Sequence, residues 1–261
     1  SKAVGPGKGG QPLFVARDDS GNRQPIAHAP RVVFAPGGGY LVLVATGRLL
    51  ENADLDPAGY AAQSFYAIRD SVEKTPVLVG GRNELASRSA SGTGPYVIHG
   101  YALRFAGSGA RKGWYIDFPN WRSDGERSAG TALLASGALI FDTLAPGASV
   151  CAAMVMRTYI VDALTGLAYT SGGIPKAAQV TGSVVEQAAS LSPPLLFDMG
   201  MVAGQRSPTG ATVASHMVNI VRLRGDGKPP LSLPITVKTP AGRLSWREVA
   251  NWQELHEAAK K

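Results

Sequence analysis

The sequence predicts an all-β protein and, within that class, a β-propeller of short four-stranded antiparallel blades. Its 261 residues include 32 glycines and 18 prolines, and only 17% are charged, a composition that suits many short strands and turns. An aromatic residue followed by Ile and then by Asp occurs in the stretches 65–70, 114–117 and 158–162. Their tyrosines, Tyr66, Tyr115 and Tyr159, are 49 and 44 residues apart. A repeat of roughly 40 to 50 residues is typical of propeller blades.

The stretch 113–142 contains about one blade's worth of sheet. Trp114, Tyr115 and Ile116 predict one strand, Asp124-Gly125 predicts a reversal, and the apolar residues 138–141 predict a second strand. We therefore predict that the large aromatic side chains in this pattern belong to the core or to contacts between blades, and do not form a ligand platform. These residues are Trp114, Tyr115, Phe141 and, near the C-terminus, Trp246.

The N-terminal region alternates turn signals with short apolar runs. Residues 1–10, mostly Gly, Lys and Pro, predict a flexible leader, and residues 13–16 predict a first strand. A tight turn is expected at 18–22, where the Asp, Gly and Asn residues lack the alternating ligands and the downstream Glu of an EF-hand loop. Residues 31–34 and 40–44 predict a hairpin closed through Pro36 and three glycines. The continuous apolar run on its second strand predicts that both faces are covered.

Further along the chain, the pattern is weaker. The Ser- and Gly-rich residues 87–94 predict a surface loop, whereas 96–98 and 101–105 predict strands. A turn is expected at 162–166. Later strands are predicted at 180–185, 195–198, 218–223, 233–238 and 243–249, followed by a short C-terminal helix or tail at 251–261. One β-propeller domain, or the C-terminal portion of one, is thus predicted over residues 11–250.

Charge and cysteine content exclude some classes of protein. The formal net charge is +7, but the arginines are spread singly and are not interleaved with aromatic residues, so we expect a solvated basic surface and no nucleic-acid binding. Cys151 is the single cysteine and is expected to be buried, or bridged to a cysteine outside this chain. Residues 1–10 contain no signal peptide, and no apolar run has the ~18 residues of a membrane span. A start at Ser1 without Met indicates a processed or truncated chain.

The sequence contains no recognisable catalytic motif, so we expect no catalytic and no cofactor-binding residues. A Gly-x-Ser-x-Gly elbow is absent, and His28, His99, His216 and His256 are isolated. Cys151 has no spaced His or Asn partner. One enzyme class fits on architecture alone. Quinoprotein dehydrogenases are propellers whose repeat includes a strand that ends in Asp, a small residue and then Thr-Gly, as residues 162–166 do. The cofactor clamp and the calcium-binding carboxylates that such an enzyme needs are not found in the sequence.

One acidic loop offers the weak candidates for a metal site. Glu51, Asp54 and Asp56 lie within six residues before Pro57, and three carboxylates of this kind are able to hold a cation. On an exposed loop such residues are more often simply solvated.

Several segments, taken in order, resemble the C-terminal propeller of the type IV pilus tip-adhesin and biogenesis family, often called PilC or PilY proteins. The matching pieces cover nearly the whole chain, densely up to Gly166 and thinly from there to Arg243. They are Gln24-Pro25-Ile26 with Ala29-Pro30, Ala45-Thr46-Gly47-Arg48-Leu49-Leu50 followed by Asp54, Gln63-Ser64-Phe65-Tyr66-Ala67-Ile68-Arg69-Asp70, Gly113-Trp114-Tyr115-Ile116-Asp117, Gly125-Glu126-Arg127, Phe141-Asp142-Thr143 with Pro146 and Cys151, and Ser245-Trp246-Arg247-Glu248.

The chain departs from the family pattern at three points. Ala45 stands where the family usually has Gly, and residues 152–156 replace a glycine-rich stretch; both changes suggest local repacking. The family's calcium loop lies upstream of the matched part and has no counterpart here. The resemblance therefore implies no cofactor in this segment, and it leaves calcium to the upstream part of the precursor.

The resemblance implies a non-enzymatic surface-binding module that supports pilus assembly and extension, counteracts retraction, and serves twitching motility and adhesion. It also implies an extracytoplasmic location, at the pilus tip, on the cell surface or at the outer membrane, with minor pilins and an unidentified host or surface ligand as partners. A quinoprotein-like propeller enzyme and a generic extracellular carbohydrate- or protein-binding propeller remain the alternatives.

The matched region corresponds to the later part of the family's propeller, so we expect that this segment is not a self-closed ring. Upstream blades of the same precursor are then expected to cover its exposed end near residues 13–16. Large exposed apolar faces are rare on soluble monomers. The isolated chain is therefore expected to aggregate or to unfold at low denaturant.

Overall fold

The computed structural model describes residues 12–71, 78–91, 97–119, 121–135, 137–147, 154–167, 169, 179–181, 183–185, 195–206, 212–222 and 229–241. These residues form 15 strands, with only short helical turns between them. The predicted all-β class is thus confirmed. The leader at 1–10, Cys151, Trp246 and the C-terminal residues 251–261 lie outside the described residues.

The largest sheet has seven strands in the order β1-β2-β3-β6-β4-β5-β11. Its strands are β1 (Arg31–Phe34), β2 (Tyr40–Ala45), β3 (Ser64–Asp70), β4 (Ala86–Ser91), β5 (Val97–His99), β6 (Gly113–Asp117) and β11 (Gln179–Thr181). The predicted hairpin is confirmed, because β1 and β2 pair in antiparallel register from Arg31–Leu43 to Phe34–Tyr40. The pairs β1-β2, β2-β3 and β3-β6 are antiparallel, whereas β4 pairs with β6 in parallel.

Two further sheets complete the described fold. The five-stranded sheet has the order β12-β10-β9-β7, with β8 also paired to β9. Its strands are β7 (Arg127–Ser128), β8 (Leu133–Ala135), β9 (Ala138–Ala145), β10 (Val155–Asp162) and β12 (Ser183–Val185). The three-stranded sheet consists of β13 (Leu195–Arg206), β14 (Thr212–Arg222) and β15 (Leu231–Ala241). Ile220 of β14 packs on Ile140 and Ile160, which joins this sheet to the five-stranded one.

The main core lies between the seven-stranded and the five-stranded sheets. Phe65 of β3 stacks on Phe141 of β9 with ring centroids 4.3 Å apart, and Phe141 stacks on Tyr159 of β10 at 4.8 Å. Trp114 of β6 is fully buried beside Phe65. The prediction that Trp114 and Phe141 are core residues is therefore confirmed, and Tyr115 is half-buried. These stacked rings are the largest apolar surfaces in the core and account for much of its hydrophobic stabilisation.

The expected division into four-stranded antiparallel blades is not confirmed by the described sheets. A run of four antiparallel strands does occur, β1-β2-β3-β6, but the parallel pair β4-β6 extends it into a seven-stranded mixed sheet. The described residues form no closed ring of blades.

Three local predictions are wrong, each for a physical reason. Residues 13–16 form no strand; Leu13, Phe14 and Ala16 instead pack on Tyr66 and Ile68, and only Arg17 makes a bridge, to Arg23. Of the loop predicted at 87–94, residues 87–91 belong to β4 and 92–94 lie outside the described residues; pairing of β4 with β5 and β6 outweighs the weak strand propensity of Ser. Residues 101–105 form no strand, and Tyr101 is 85% exposed.

The hairpin is also less covered than its apolar run predicts. Leu41, Leu43 and Ala45 are buried, whereas Val42 and Val44 on the opposite face are only half-buried. Phe34 on the edge strand β1 is 79% exposed. Only one face of this hairpin therefore contributes fully to the core. In the described part of the chain, no helix has the length and apolar character to cross a bilayer.

Candidate ligand-binding cavity

A cavity of about 830 Å³ opens beside β4, β5 and the loop 100–111. Its lining includes serine hydroxyls, one imidazole, one phenol ring and two guanidinium groups, and it includes no carboxylate. The residues that supply these groups are Ser87, Ser89, His99, Tyr101, Arg88 and Arg111. A concave surface of a few hundred Å³ with convergent polar groups is the usual form of a small-molecule site.

Arg88 forms part of the cavity wall from an inward-facing position on β4. It is only 2% exposed. Its Nε donates to the carbonyl oxygen of Thr165 at 2.7 Å and its Nη1 to that of Ser87 at 3.0 Å, while Nη2 has no hydrogen-bond partner. Burial lowers the pKa of Arg88 to about 10, because a low-dielectric surrounding disfavours the charged form. The group nevertheless remains a cation at neutral pH.

The exposed rim of the cavity carries the groups that a ligand meets first. Arg111 is exposed and donates from Nη1 to the carbonyl oxygen of Asn83 at 2.8 Å. The Ser91 hydroxyl lies 3.1 Å from Nε2 of His99, which places the imidazole in a defined orientation at the mouth. Tyr101 presents its ring to solvent. The rim is therefore cationic and partly aromatic.

A second, smaller cavity of about 270 Å³ is lined by charged groups of both signs. It is lined by Asp18, Asp19 and Asp117 together with Arg82 and Arg122. Arg82 forms ion pairs with Asp19 at 2.6 Å and with Asp117, and its guanidinium lies 4.1 Å from the Tyr115 ring centroid. Burial raises the pKa of Asp117, although Arg82 and the Ser64 hydroxyl oppose the shift. Arg82 thus pairs with two of the three aspartates, and Asp18 accepts hydrogen bonds from Ser20 and Asn22 in its own turn.

A buried polar network inside the five-stranded sheet is structural in character. Glu126 is fully buried, and its Oε1 accepts hydrogen bonds from the hydroxyls of Thr143 and Tyr159, both at 2.7 Å. Arg157 lies 3.2 Å from the second carboxylate oxygen of Glu126 and donates to Asp124 at 2.7 Å. Burial raises the pKa of Glu126, whereas Arg157 and the two hydroxyl groups act in the opposite direction. The network ties β9 and β10 to the chain before β7.

The acidic loop proposed as a weak metal site uses its carboxylates for the local backbone. Asp54 Oδ2 accepts hydrogen bonds from the amides of Leu50 and Glu51, and Oδ1 accepts one from Arg48 at 3.1 Å. Asp56 Oδ1 accepts from the amide of Ala58 at 3.0 Å. Bonds of this kind cap short helical turns. Among the described residues, no group of three or more His, Cys, Asp or Glu side chains is arranged to hold a metal ion.

The predicted turn at 162–166 is confirmed and has a defined role. Asp162 Oδ1 accepts hydrogen bonds from the amides of Leu164 and Thr165 and from the Thr165 hydroxyl. Gly166 has a φ of +67°, in the left-handed region that glycine adopts without strain. The turn holds Thr165 where its carbonyl oxygen accepts from Arg88. The motif that suggested a quinoprotein therefore serves the packing of two sheets in this structure.

Sequence reasoning missed the large cavity altogether. Its residues lie in the segment predicted as a loop, on β5, and in the segment wrongly predicted as a strand. The one usable signal is local: Arg88 stands alone between Ser87 and Ser89 in a stretch without Asp or Glu from 85 to 111. The sequence thus shows that Arg88 has no nearby carboxylate. It does not show that Arg88 is buried, because the burial follows from the pairing of β4 with β6.

Comparisons with known proteins find relatives among factors of type IV pilus biogenesis. No protein-family model matches the chain. Over 165 residues, 59% of the chain, it is 34% identical to the type IV pilus biogenesis factor PilY1 homolog of Xylella fastidiosa, of which it covers 11%. Over 178 residues, 60% of the chain, it is 30% identical to the type IV pilus biogenesis factor PilY1 of Pseudomonas aeruginosa, of which it covers 15%. The chain thus spans a small fraction of the length of these relatives.

A solved structure supports the fold independently. The crystal structure of the Pseudomonas aeruginosa PilY1 C-terminal domain matches with a TM-score of 0.54 at 24% sequence identity, and the match covers 79% of this chain and 46% of that domain. At this identity the match shows the fold alone. The resemblance read from the sequence is confirmed by the two sequence relatives, both of which are named as PilY1-type factors of type IV pilus biogenesis.

Proposed function

We propose that this chain is a non-enzymatic surface-binding module of a type IV pilus-associated protein, which supports pilus assembly and extension, twitching motility and adhesion. The observation that carries the proposal is its sequence identity of 30% to 34% with proteins named type IV pilus biogenesis factors. The corresponding location is extracytoplasmic, at the pilus tip, the cell surface or the outer membrane. Its proposed partners are minor pilins and the upstream blades of the same precursor.

The geometry of the described residues supports binding as the mode of action. The open cavity beside β4 and β5 presents hydroxyl, imidazole, phenol and guanidinium groups at the surface. The acidic groups inside the fold are engaged with neighbouring hydroxyls, amides and arginines. A set of exposed donors on a rigid sheet is suited to holding a partner.

Deletion of the coding sequence in the organism that encodes it tests this role. We expect fewer surface pili and smaller twitching zones, and we expect the wild-type sequence to restore both. A complementing gene with Gly166→Ala should restore both less fully, because the substitution destabilises the fold, whereas Gly130→Ala should complement as well as wild type. The protein should co-purify with minor pilins from the wild-type strain. Normal piliation and twitching in the deletion strain would contradict the proposal.

Optical spectroscopy tests the non-enzymatic part of the proposal. A quinoprotein-like enzyme would retain a bound quinone, which absorbs in the near-ultraviolet. We expect the protein purified from its native host to show only the absorption of its tryptophan and tyrosine residues. A near-ultraviolet band that persists through gel filtration and disappears on denaturation would favour the enzyme.

A further inference from the structure

The larger and the smaller cavity described above differ in their charge balance. The smaller one has three aspartates and two arginines among its lining residues. The larger one has Arg88 and Arg111 and no acidic residue. Because a cationic concave surface focuses its field and concentrates anions, the larger cavity favours a negatively charged ligand.

Arg88 makes this imbalance unusual, because its charge is buried as well as unpaired. Among the described residues, no carboxylate forms an ion pair with Arg88, and its bonds go only to the two backbone carbonyl oxygens already described. Buried charges in proteins are ordinarily paired, since removing a cation from water is costly. An anion bound in the cavity would offset part of that cost.

The position of Arg88 is fixed by the surrounding backbone. Gly100 packs on its side chain so closely that a Cβ at position 100 would lie 2.7 Å from Arg88 Cδ and 2.8 Å from Nη1. Since Nη2 is itself inaccessible to water, Arg88 acts on a ligand through its field. Direct hydrogen bonds would come from the exposed Arg111 and from the serine hydroxyls that line the cavity.

The remaining lining residues indicate the class of ligand. A volume of about 830 Å³ exceeds what a single inorganic anion fills, and pockets of 300 to about 1,000 Å³ hold ligands of drug size. Tyr101 offers an exposed ring, against which the apolar face of a sugar packs well. Ser87, Ser89 and His99 offer hydrogen-bonding groups suited to hydroxyls.

We propose that this cavity binds an acidic saccharide of one to three sugar units, with its carboxylate near Arg111 and Arg88 and one sugar face on Tyr101. The inference does not depend on the pilus-associated role and would stand if that role were disproved.

Calorimetric titration with matched disaccharides tests the site. Cellobiouronic acid and cellobiose differ only in the carboxylate, so the full chain should bind the former at least tenfold more tightly. Arg111→Gln and Tyr101→Ala should each weaken binding of the acidic disaccharide by tenfold or more. Arg104→Gln removes a charge from the same loop at a residue that does not line the cavity, and it should leave the affinity unchanged.

Arg88→Met tests the buried charge, and circular dichroism should first establish that this variant folds. A folded variant should lose the preference for the acidic over the neutral disaccharide. Should it fail to fold, Arg111→Gln and Tyr101→Ala still decide the question. Equal affinity for the two disaccharides, no binding at millimolar concentration, or an equal effect of Arg104→Gln would overturn the proposal. Equal binding of an acetylated triglutamate peptide would overturn the saccharide assignment.

Discussion

The indole ring of Trp114 packs directly on Gly166. A Cβ at position 166 would lie 2.4 Å from Cδ2 and 2.5 Å from Cε3 of that ring, closer than real side chains approach. The indole Nε1 also donates to the carbonyl oxygen of Ala163 in the same turn, at 3.2 Å. Trp114 lies on β6 of the seven-stranded sheet, and the turn follows β10 of the five-stranded sheet. This contact therefore fixes how the two sheets meet.

Substitutions on both sides of this contact should be strongly coupled. Gly166→Ala adds a Cβ at positive φ against the ring and should cost about 1 to 3 kcal/mol in the free energy of unfolding. Trp114→Ala leaves a large cavity and should cost ~3 to 5 kcal/mol. The double variant should lose clearly less than the two changes together, because the ring that the methyl group strikes is gone. Urea denaturation of all four proteins measures the coupling.

Gly130→Ala is the matched control for that cycle. Its Cβ would meet no atom within 4 Å, and its φ is outside the left-handed region. We expect its denaturation midpoint to match that of wild type to within the error of the method. If the free-energy costs of Gly166→Ala and Trp114→Ala were strictly additive, the indole ring would not be packed directly on Gly166.

The stability of the fold should depend more on the acceptor oxygens of Glu126 than on its charge. Glu126→Ala removes the acceptor for Thr143 and Tyr159 and leaves Arg157 without one of its two carboxylates, and it should cost about 3 to 5 kcal/mol. Glu126→Gln keeps an acceptor oxygen for both hydroxyls, so it should cost markedly less.

The stability difference between Glu126→Gln and wild type should also depend on pH. Because burial raises the pKa of Glu126 above its unfolded value, its contribution is fully present below the unfolded pKa and is lost as pH rises through the folded pKa. The stability of Glu126→Gln relative to wild type should therefore improve as pH rises through that interval. Denaturation series at several pH values measure this difference. A constant difference across the series would contradict the raised pKa.

Asp54 should show the opposite behaviour. The backbone hydrogen bond from Leu50, followed by that from Glu51 and the charge of Arg48, lowers the pKa of Asp54 despite the opposing effect of burial. Its contribution is therefore present above the unfolded pKa and is lost as pH falls through the folded pKa. Asp54→Ala should cost about 1 kcal/mol at neutral pH, and the difference from wild type should shrink in acid. A cost that is independent of pH would refute the capping role.

The elements that could be predicted from the sequence are those whose pattern is local. Alternating and continuous apolar runs identified the hairpin β1-β2 and the strands that contain Trp114, Phe141 and Tyr159, because strand periodicity depends on neighbouring residues alone. The turn at Asp162 and Gly166 was predicted for the same reason. Asp and Gly have specific backbone preferences that require no tertiary information.

The remaining features depend on contacts between distant residues. Ser87 and Ser89 carry little strand propensity, and β4 exists because it pairs with β6 and β5. Tyr101, by contrast, lies in an apolar segment that finds no strand partner. The burial of Arg88 follows from Thr165, 77 residues away. A single sequence does not reveal such pairings, so the cavity that they create could not be predicted.

The core shared by the two larger sheets has a consequence for how this chain can be divided. Its rings come from Phe65 and Trp114 on one sheet and from Phe141 and Tyr159 on the other, so neither sheet covers its own aromatic face. A fragment that ends at Phe118 would expose Phe65 and Trp114 to water. A fragment that begins after Phe118 would expose Phe141. The two larger sheets therefore depend on one shared core, and we expect that neither would fold if its strands were expressed without those of the other.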